Sequence, residues 1–383
     1  MRKVTLVDTV KGIYRSKCKW VSFEGDLTNR NAEFNLQRLC GGVSAGIDIL
    51  TIDNGALELD ILLTRGCGIY KVRFGEIELK WDSPVMSPVH PSLVPLYDPS
   101  GLGWLEGFNE WFVRCGLESN GSPDFDKNGK LLYPIHGRIA NIPANYVEIS
   151  DDKDTKMMAF TGKVYETRLF GKKLELSTTL TTHLRSPKFT ICDTVTNLSS
   201  EPGEFELLYH INTGQPFASP GARVVVPFDR LVPRTKVAAE NLPEWDKLGP
   251  EVSGSEEVVF YFEPAVDKDG ICKTMLINSK NDNAIALSFK KESLPYFALW
   301  KSRLANGDGY VCGMEPTINF PNTRSFEKQQ GRIAKLKPHE SRTFELNFEI
   351  LDNAEAVKNT EKEIKKIKTK AKIETKPSKK WSQ

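Results

Sequence analysis

The sequence predicts an all-β protein, an antiparallel sandwich or barrel with few and short helices. Three observations predict it. First, apolar residues recur with a period of two. Ile285-Ala-Leu-Ser-Phe289 and Phe344-Glu-Leu-Asn-Phe-Glu-Ile350 alternate cleanly. Leu174, Leu176 and Leu180 punctuate a Thr-rich segment that runs to His183, and Phe189, Ile191 and Val195 alternate with Thr and Cys. Such alternation marks strands with one buried face. Second, turn chemistry separates the runs: Asp53-Asn-Gly55, Glu201-Pro-Gly203, Asp267-Lys-Asp-Gly270 and Asn306-Gly-Asp-Gly309. Gly, Asn and Asp reach backbone conformations that other residues avoid. Third, more than a dozen strand-like runs follow one another without strand–helix alternation, which argues against a parallel α/β sheet.

Taken in order, residues 1–40 read as an N-terminal extension and 41–352 as the sandwich. Strand-like runs cover 45–52, 55–63 and 68–80, then 145–151, 157–163, 204–212, 222–228, 257–263 and 271–278. Residues 83–130 break the pattern, being rich in Pro, Gly, Trp and Asp with few strands. A loop region of that length in a compact domain is usually functional. Residues 353–368 predict a short helix. Thr369–Gln383 is dense in lysine and poor in apolar residues, so it predicts a disordered tail. No repeat of 20–50 residues is present.

Composition excludes several classes. A chain of 383 residues has room for a core that needs no staples. Apolar content of 39% and charged content of 27% are those of a globular protein. No stretch approaches the length of a membrane span. Met1-Arg-Lys-Val-Thr-Leu-Val-Asp-Thr-Val10 carries no apolar core of a secretory signal, so a cytoplasmic setting is expected. Cysteines 18, 40, 67, 115, 192, 272 and 312 include no Cys-x-x-Cys pair and predict free thiols. The net charge of +2 hides an asymmetry. Residues 354–383 hold ten Lys and four Glu, which leaves 42 basic and 46 acidic residues in the body. That body has no basic run to suggest nucleic acid.

Chemistry-bearing residues stand in unusual settings. Glu315 lies in Gly309-Tyr-Val-Cys-Gly-Met-Glu-Pro-Thr-Ile-Asn-Phe-Pro321, where a proline stops the strand just after the carboxylate. His210 lies in a strand that ends in polar residues and then Gly214 and Pro216, with Glu206, Leu208, His210 and Asn212 on one face. An imidazole with an ordinary pKa of about 6.5 suits proton donation near neutral pH. His136 precedes Gly137 and Arg138, and the arginine offers a fork of donors to a sugar or carboxylate. A carboxylate and imidazoles with no metal motif beside them are the parts of a proton-transfer site. Each also has a structural reading: Glu315 paired with Arg324 or Arg332, His210 bonded to backbone, Arg138 in an ion pair. His339 reads as a turn residue and His183 as a strand-end residue, while His90 lies in the Pro-rich loop, as a plain loop residue or one lining a cleft. Trp81, Trp104, Phe108, Trp111 and Phe112, and the segment Pro295-Tyr-Phe-Ala-Leu-Trp-Lys301, supply aromatic faces for a sugar or for the core. No Gly-x-Gly-x-x-Gly, P-loop, His-Glu-x-x-His or Gly-x-Ser-x-Gly motif occurs. No metal site or cofactor is expected.

Four stretches in order resemble the aldose 1-epimerase, or galactose mutarotase-like, superfamily, in a bacterial branch of it, over roughly residues 40–350. They are Asp60-Ile-Leu-Leu-Thr-Arg-Gly-Cys-Gly-Ile69 with Leu79-Lys-Trp-Asp-Ser-Pro84; Cys115-Gly-Leu117 with Pro134-Ile-His-Gly-Arg-Ile-Ala-Asn-Ile-Pro143; Tyr209-His-Ile-Asn-Thr-Gly-Gln-Pro216; and Gly313-Met-Glu-Pro-Thr-Ile-Asn-Phe-Pro321. The resemblance implies a β-supersandwich and a cofactor-free sugar site, with His210 as general acid, Glu315 as general base and His136 as a ring contact. Arg138, Asn212, Arg65, Trp300 and Lys301 complete the expected substrate contacts. Two features depart from the family pattern. Arg138 follows the His-Gly pair, which points to a neutral or an anionic sugar. The family's substrate-binding aspartate has no evident counterpart, with Asp229 and Asp246 as candidates. The expected function is anomer interconversion, by a monomer or homodimer. The rival readings are a non-catalytic carbohydrate-binding protein and a glycoside hydrolase or lyase, with Glu118 or Asp124 as a second carboxylate.

Overall fold

A computed structural model describes residues 1–25 and 30–382. Its strands form two large sheets whose apolar faces meet. One sheet has ten strands, running from Arg223–Val225 through Ile271–Ile277, Ala284–Lys290, Ser341–Leu351, Lys188–Asn197, Lys173–His183, Met157–Thr167 and Tyr146–Asp152 to Arg2–Asp8 and Ile13–Tyr14. The other has fourteen among the described residues. It runs from Lys372–Ile373 through Phe228–Pro233, Val258–Pro264, Tyr296–Ser302, Val311–Thr317, Gly203–Gly214, Phe112–Leu117 and Gly68–Phe74 to Cys18–Phe23. Their pairings are antiparallel, apart from Lys372–Ile373 against Phe228–Pro233. The chain is therefore all-β, a sandwich with few and short helices, as the alternating pattern requires.

Between the sheets lies one large core. Leu50, Leu59, Val72, Tyr209, Ile211 and Met314 of one sheet meet Ile149, Phe160, Leu176, Ile191 and Phe348 of the other. Phe189 and Phe348 stack with centroids 4.6 Å apart, and Trp111 packs on Phe348 at 5.6 Å. Each inward residue leaves its neighbours on the outer face of the same strand. That face carries a second apolar cluster of Trp81, Trp104, Phe108, Val113, Cys115 and Leu208. Residues 83–111 cover it, as an irregular segment broken by short turns at Pro91–Leu93 and Gly103–Gly107. A cavity lies between that segment and the sheet.

Both ends of the chain depart from expectation. Residues 1–40 are not a separate extension: Arg2–Asp8 pairs with Tyr146–Asp152, and Cys18–Phe23 and Ala32–Arg38 extend the larger sheet. Residues 26–29 lie outside the described residues. The helix Ala354–Lys365 forms where a short one was expected, capped by Asn353. Beyond it, Lys372–Ile373 joins the larger sheet and Trp381 is buried. Lysines dominated the composition of this segment and masked the single tryptophan that anchors it. Gln383 lies outside the described residues. No helix among the described residues is long and apolar enough to cross a membrane.

Candidate functional site

Strand register brings the two central residues together. In the pairing of Gly203–Gly214 with Val311–Thr317, Leu208 opposes Thr317 and Ile211 opposes Met314. His210 and Glu315 are thereby bracketed as cross-strand neighbours on the outer face. His210 Nε2 lies 3.2 Å from Glu315 Oε1, and both side chains are buried. Arg324 and Arg332, the alternative partners for Glu315, are occupied elsewhere: Arg324 by Glu204 and Arg332 by Glu327. The adjoining backbone must be bare. A Cβ at Gly313 would lie 2.9 Å from Glu315 Oε1, 3.0 Å from Trp300 Cε3 and 3.2 Å from His210 Cε1.

The tautomer of His210 follows from its neighbours. Asn212 Nδ2 donates to the Glu110 carbonyl at 3.0 Å, which turns its Oδ1 toward His210 Nδ1. Oδ1 can only accept, so Nδ1 carries a hydrogen and Nε2 is left to exchange a proton with Glu315. Burial pushes His210 well below the ordinary imidazole range, with repulsion from His136 adding to it and the Asn212 bond opposing it. Burial likewise pushes Glu315 well above the ordinary carboxylate range, with Glu257 adding and Arg234 opposing. Opposite charges on the two groups, which an acid role for His210 and a base role for Glu315 imply, are therefore only one of two forms. A carboxylate beside an imidazolium holds as many protons as a carboxylic acid beside an imidazole. Moving one proton across the 3.2 Å contact interconverts them, and burial favours the neutral form.

A cavity of about 350 Å³ opens over this pair. Phe108, Ile135, His136, Trp300, Val259 and Pro321 are among its walls. His136 sits in the left-handed region with φ 57°, followed by Gly137 at φ 71°. A Cβ at Gly137 would come within 2.2 Å of the Ser119 carbonyl, so this turn requires glycine there. His136 Nδ1 donates to the Asn120 carbonyl at 2.9 Å, leaving Nε2 as an acceptor. Burial lowers His136 to about 4, so it is neutral at pH 7. The rings of Phe108, His136 and Trp300 surround His210 at 5.1, 5.4 and 5.2 Å.

On the remaining side stands a polar arc that sequence reasoning missed. Trp300 Nε1 donates to Glu257 Oε2 at 2.8 Å. Glu257 Oε1 lies 3.4 Å from Arg234 Nη1, and Arg234 Nη2 donates to Ser122 Oγ at 3.1 Å. Arg234 follows directly after the strand Phe228–Pro233, and Glu257 directly precedes Val258–Pro264. Those two strands are adjacent in the sheet. Polar residues at strand ends were the available signal, but nothing in the sequence showed that these two ends meet at His210.

Besides Asn212, which orients His210 and is absent from the wall, three expected contacts lie elsewhere. Arg65 is buried, with Nε bonded to Glu110 at 2.7 Å and its other nitrogens on the carbonyls of Val89 and Gly107 and on Asn141. It anchors the covering segment rather than a ligand. Lys301 follows Trp300, so strand alternation sends it to the opposite face. There its Nζ is held by the carbonyls of Glu244, Trp245 and Lys247, and burial lowers it to about 8. Arg138 lies outside the cavity wall, and its charge acts instead on the buried carboxyl of Glu166. Asp229, Asp246, Glu118 and Asp124 are also absent from the wall, whose carboxylates are Glu315 and Glu257. Asp124 instead accepts from the Ser325 amide at the start of a helix.

The sandwich, with the His210–Glu315 pair on its outer face, is of the galactose mutarotase-like class. A Klebsiella pneumoniae protein named "putative aldose 1-epimerase" is 29% identical over 98% of both chains, with a TM-score of 0.92. A galactose mutarotase-like protein from Clostridium acetobutylicum shares the fold at 15% identity, over 84% of this chain and 99% of its own, with a TM-score of 0.56. The chain belongs to the family described as a domain of unknown function (DUF4432), whose model matches residues 44–350. No curated protein matches the sequence.

Proposed function

We propose that this protein is an aldose 1-epimerase-like isomerase that interconverts the anomers of a free sugar. The observation that carries this reading is the 3.2 Å contact of His210 Nε2 with Glu315 Oε1 at the floor of a cavity. The anomeric hydroxyl and the ring oxygen share one carbon, so two protein atoms this close can address both. In the charged form Glu315 takes the hydroxyl proton as the bond from C1 to the ring oxygen breaks, and His210 protonates that oxygen. The product is an open-chain aldehyde, with Glu315 protonated and His210 neutral. Rotation about C1–C2 presents the other face of the aldehyde. His210 then takes the proton from the attacking hydroxyl as Glu315 returns one to the carbonyl oxygen. Each form of the pair is the product of the other's half-reaction. A positioned acid or base contributes roughly 10²–10⁴-fold, enough for a reaction that already runs slowly in water.

The polar arc bears on the substrate. Arg234 is the arginine on the wall, and Glu257 stands beside it. The case for an anionic sugar rested on Arg138, which is not on the wall. The matched pair favours a neutral aldose, with Glu257 accepting from sugar hydroxyls in the role left unassigned by the sequence. Polarimetry on a panel of neutral aldoses tests this: accelerated approach to anomeric equilibrium is expected. Binding without acceleration would instead mark a carbohydrate-binding protein, and release of reducing ends from oligosaccharides a hydrolase. Glu257→Gln should shift preference toward uronic acids, by unmasking Arg234. An unchanged preference would remove Glu257 from the substrate assignment.

A further inference from the structure

The segment that was expected to be disordered packs behind one wall of the cavity. Trp381 is buried against Phe320 at 4.8 Å and Tyr296 at 6.3 Å. Its carbonyl accepts from Asn322 Nδ2 at 2.9 Å, and the Lys380 carbonyl accepts from Arg332 Nη1 at 2.7 Å. Asn322 adjoins the wall residue Pro321. The Ser122 amide in turn donates to the carbonyls of Pro321 at 3.3 Å and Asn322 at 3.1 Å. Ser122 Oγ then holds Arg234 at 3.1 Å. A second route reaches the same arginine. Lys372–Ile373 pairs with the strand Phe228–Pro233, at whose end Arg234 stands. The Arg230 guanidinium on that strand lies over the Trp381 ring at 4.4 Å, and its Nε donates to Glu374 at 2.8 Å. Val259, also on the wall, shares an apolar cluster with Trp381 and Phe320.

Both routes end on Arg234, Ser122, Pro321 and Val259. None of these contacts involves His210, Glu315, His136 or Phe108. We propose that residues 372–382 form a strap that sets the substrate-holding wall of the cavity and makes no direct contact with the acid–base pair. The strap reaches Glu315 only through the charge of Arg234. Trp381 is thus a positioning residue. The part of this inference that concerns sugar affinity rests on the epimerase reading; the part that concerns the wall does not.

The test compares the native chain with Trp381→Ala and Trp381→Phe, in two measurements. Amide hydrogen exchange at Ser122 and Asn322 should rise about tenfold or more in Trp381→Ala, with the amides of Ile211 and Met314 unchanged and Trp381→Phe close to native. For a turned-over aldose, KM should rise about tenfold at nearly constant kcat, the mark of a lost contact made equally in ground and transition states. Faster exchange at Ser122 and Asn322 in a protein that accelerates no sugar would uphold the strap and sink the epimerase reading. Unchanged exchange there, a uniform rise across both sheets, or a fall in kcat matching the rise in KM would overturn the strap.

Discussion

His210 and Glu315 were both legible as candidates because each was read toward the polar end of a strand, although Pro316 does not stop its strand, which runs on to Thr317. What the sequence could not supply was their meeting, which depends on the register of two strands. Trp300, His136 and Asn212 were also legible, although Asn212 turns out to orient His210 rather than to face the cavity. Arg65 and Lys301 were misread for a physical reason. A long cation near an active segment can point either way, and each here is consumed by backbone carbonyls or a buried carboxylate. Strand alternation would have separated Lys301 from Trp300. At this scale Gly313 gives a sharp expectation. Gly313→Ala pushes a methyl group between Glu315, Trp300 and His210, so turnover should fall on the order of 100-fold, about the contribution of one positioned catalytic group, while thermal stability changes little. A variant with native turnover would mean that the pair tolerates displacement. The pH dependence is set by the pair as a unit. His210 is lowered and Glu315 raised by burial, so the form with one shared proton spans neutral pH. Activity should be flat there, falling in acid as a second proton binds and in alkali as the shared proton leaves. A single sigmoid through pH 6.5 would contradict this.

Residues 83–130 were read as one long functional loop, but the strand Phe112–Leu117 interrupts them and residues 83–111 form the covering segment. Phe108 lines the cavity, and Trp104 packs behind it on Phe108 and His136. Trp111 and Phe112 instead enter the main core. What holds the segment was not legible. Arg65 and Glu110 are both fully buried and 2.7 Å apart, and breaking such a pair on one side leaves an uncompensated charge. Arg65→Met should therefore lower unfolding free energy by roughly 3–5 kcal/mol. Adding Glu110→Leu to it should recover most of that loss, because the stranded carboxylate is gone. Chemical denaturation of the two variants decides the matter. A double variant less stable than Arg65→Met alone would show that the pair contributes more than mutual compensation.

The sandwich as a whole was legible from alternation and turns, which are local signals. The integration of residues 1–40 and of the final segment was not, since pairing partners such as Tyr146–Asp152 and Phe228–Pro233 lie far away in sequence. One buried carboxyl outside the His210–Glu315 pair gives the molecule a pH signature. Glu206 lies on the same strand face as His210 and accepts from the Asn120 amide and Asn319 Nδ2. Burial raises it from 4.5 to about 8, against the attraction of Arg324 and those bonds. A raised pKa means that the folded state holds this proton more tightly than the unfolded chain. Its contribution is complete below pH 4.5 and is lost as pH rises to about 8, by up to roughly 1.4 kcal/mol per pH unit. Glu206→Gln should remove that slope, so the stability difference between variant and native chain should grow across this window. A constant difference would show that Glu206 is ionised throughout.

On the proposed mechanism His210 and Glu315 pass one proton between them and act as a single unit. A cycle of Glu315→Gln, His210→Gln and the double variant, read by NMR exchange between sugar anomers, tests it most directly. Each single variant should abolish the acceleration, and the double variant should be no slower than either. Two partial losses that multiply in the double variant would mean that the residues act independently, and native rates in Glu315→Gln would remove the base altogether.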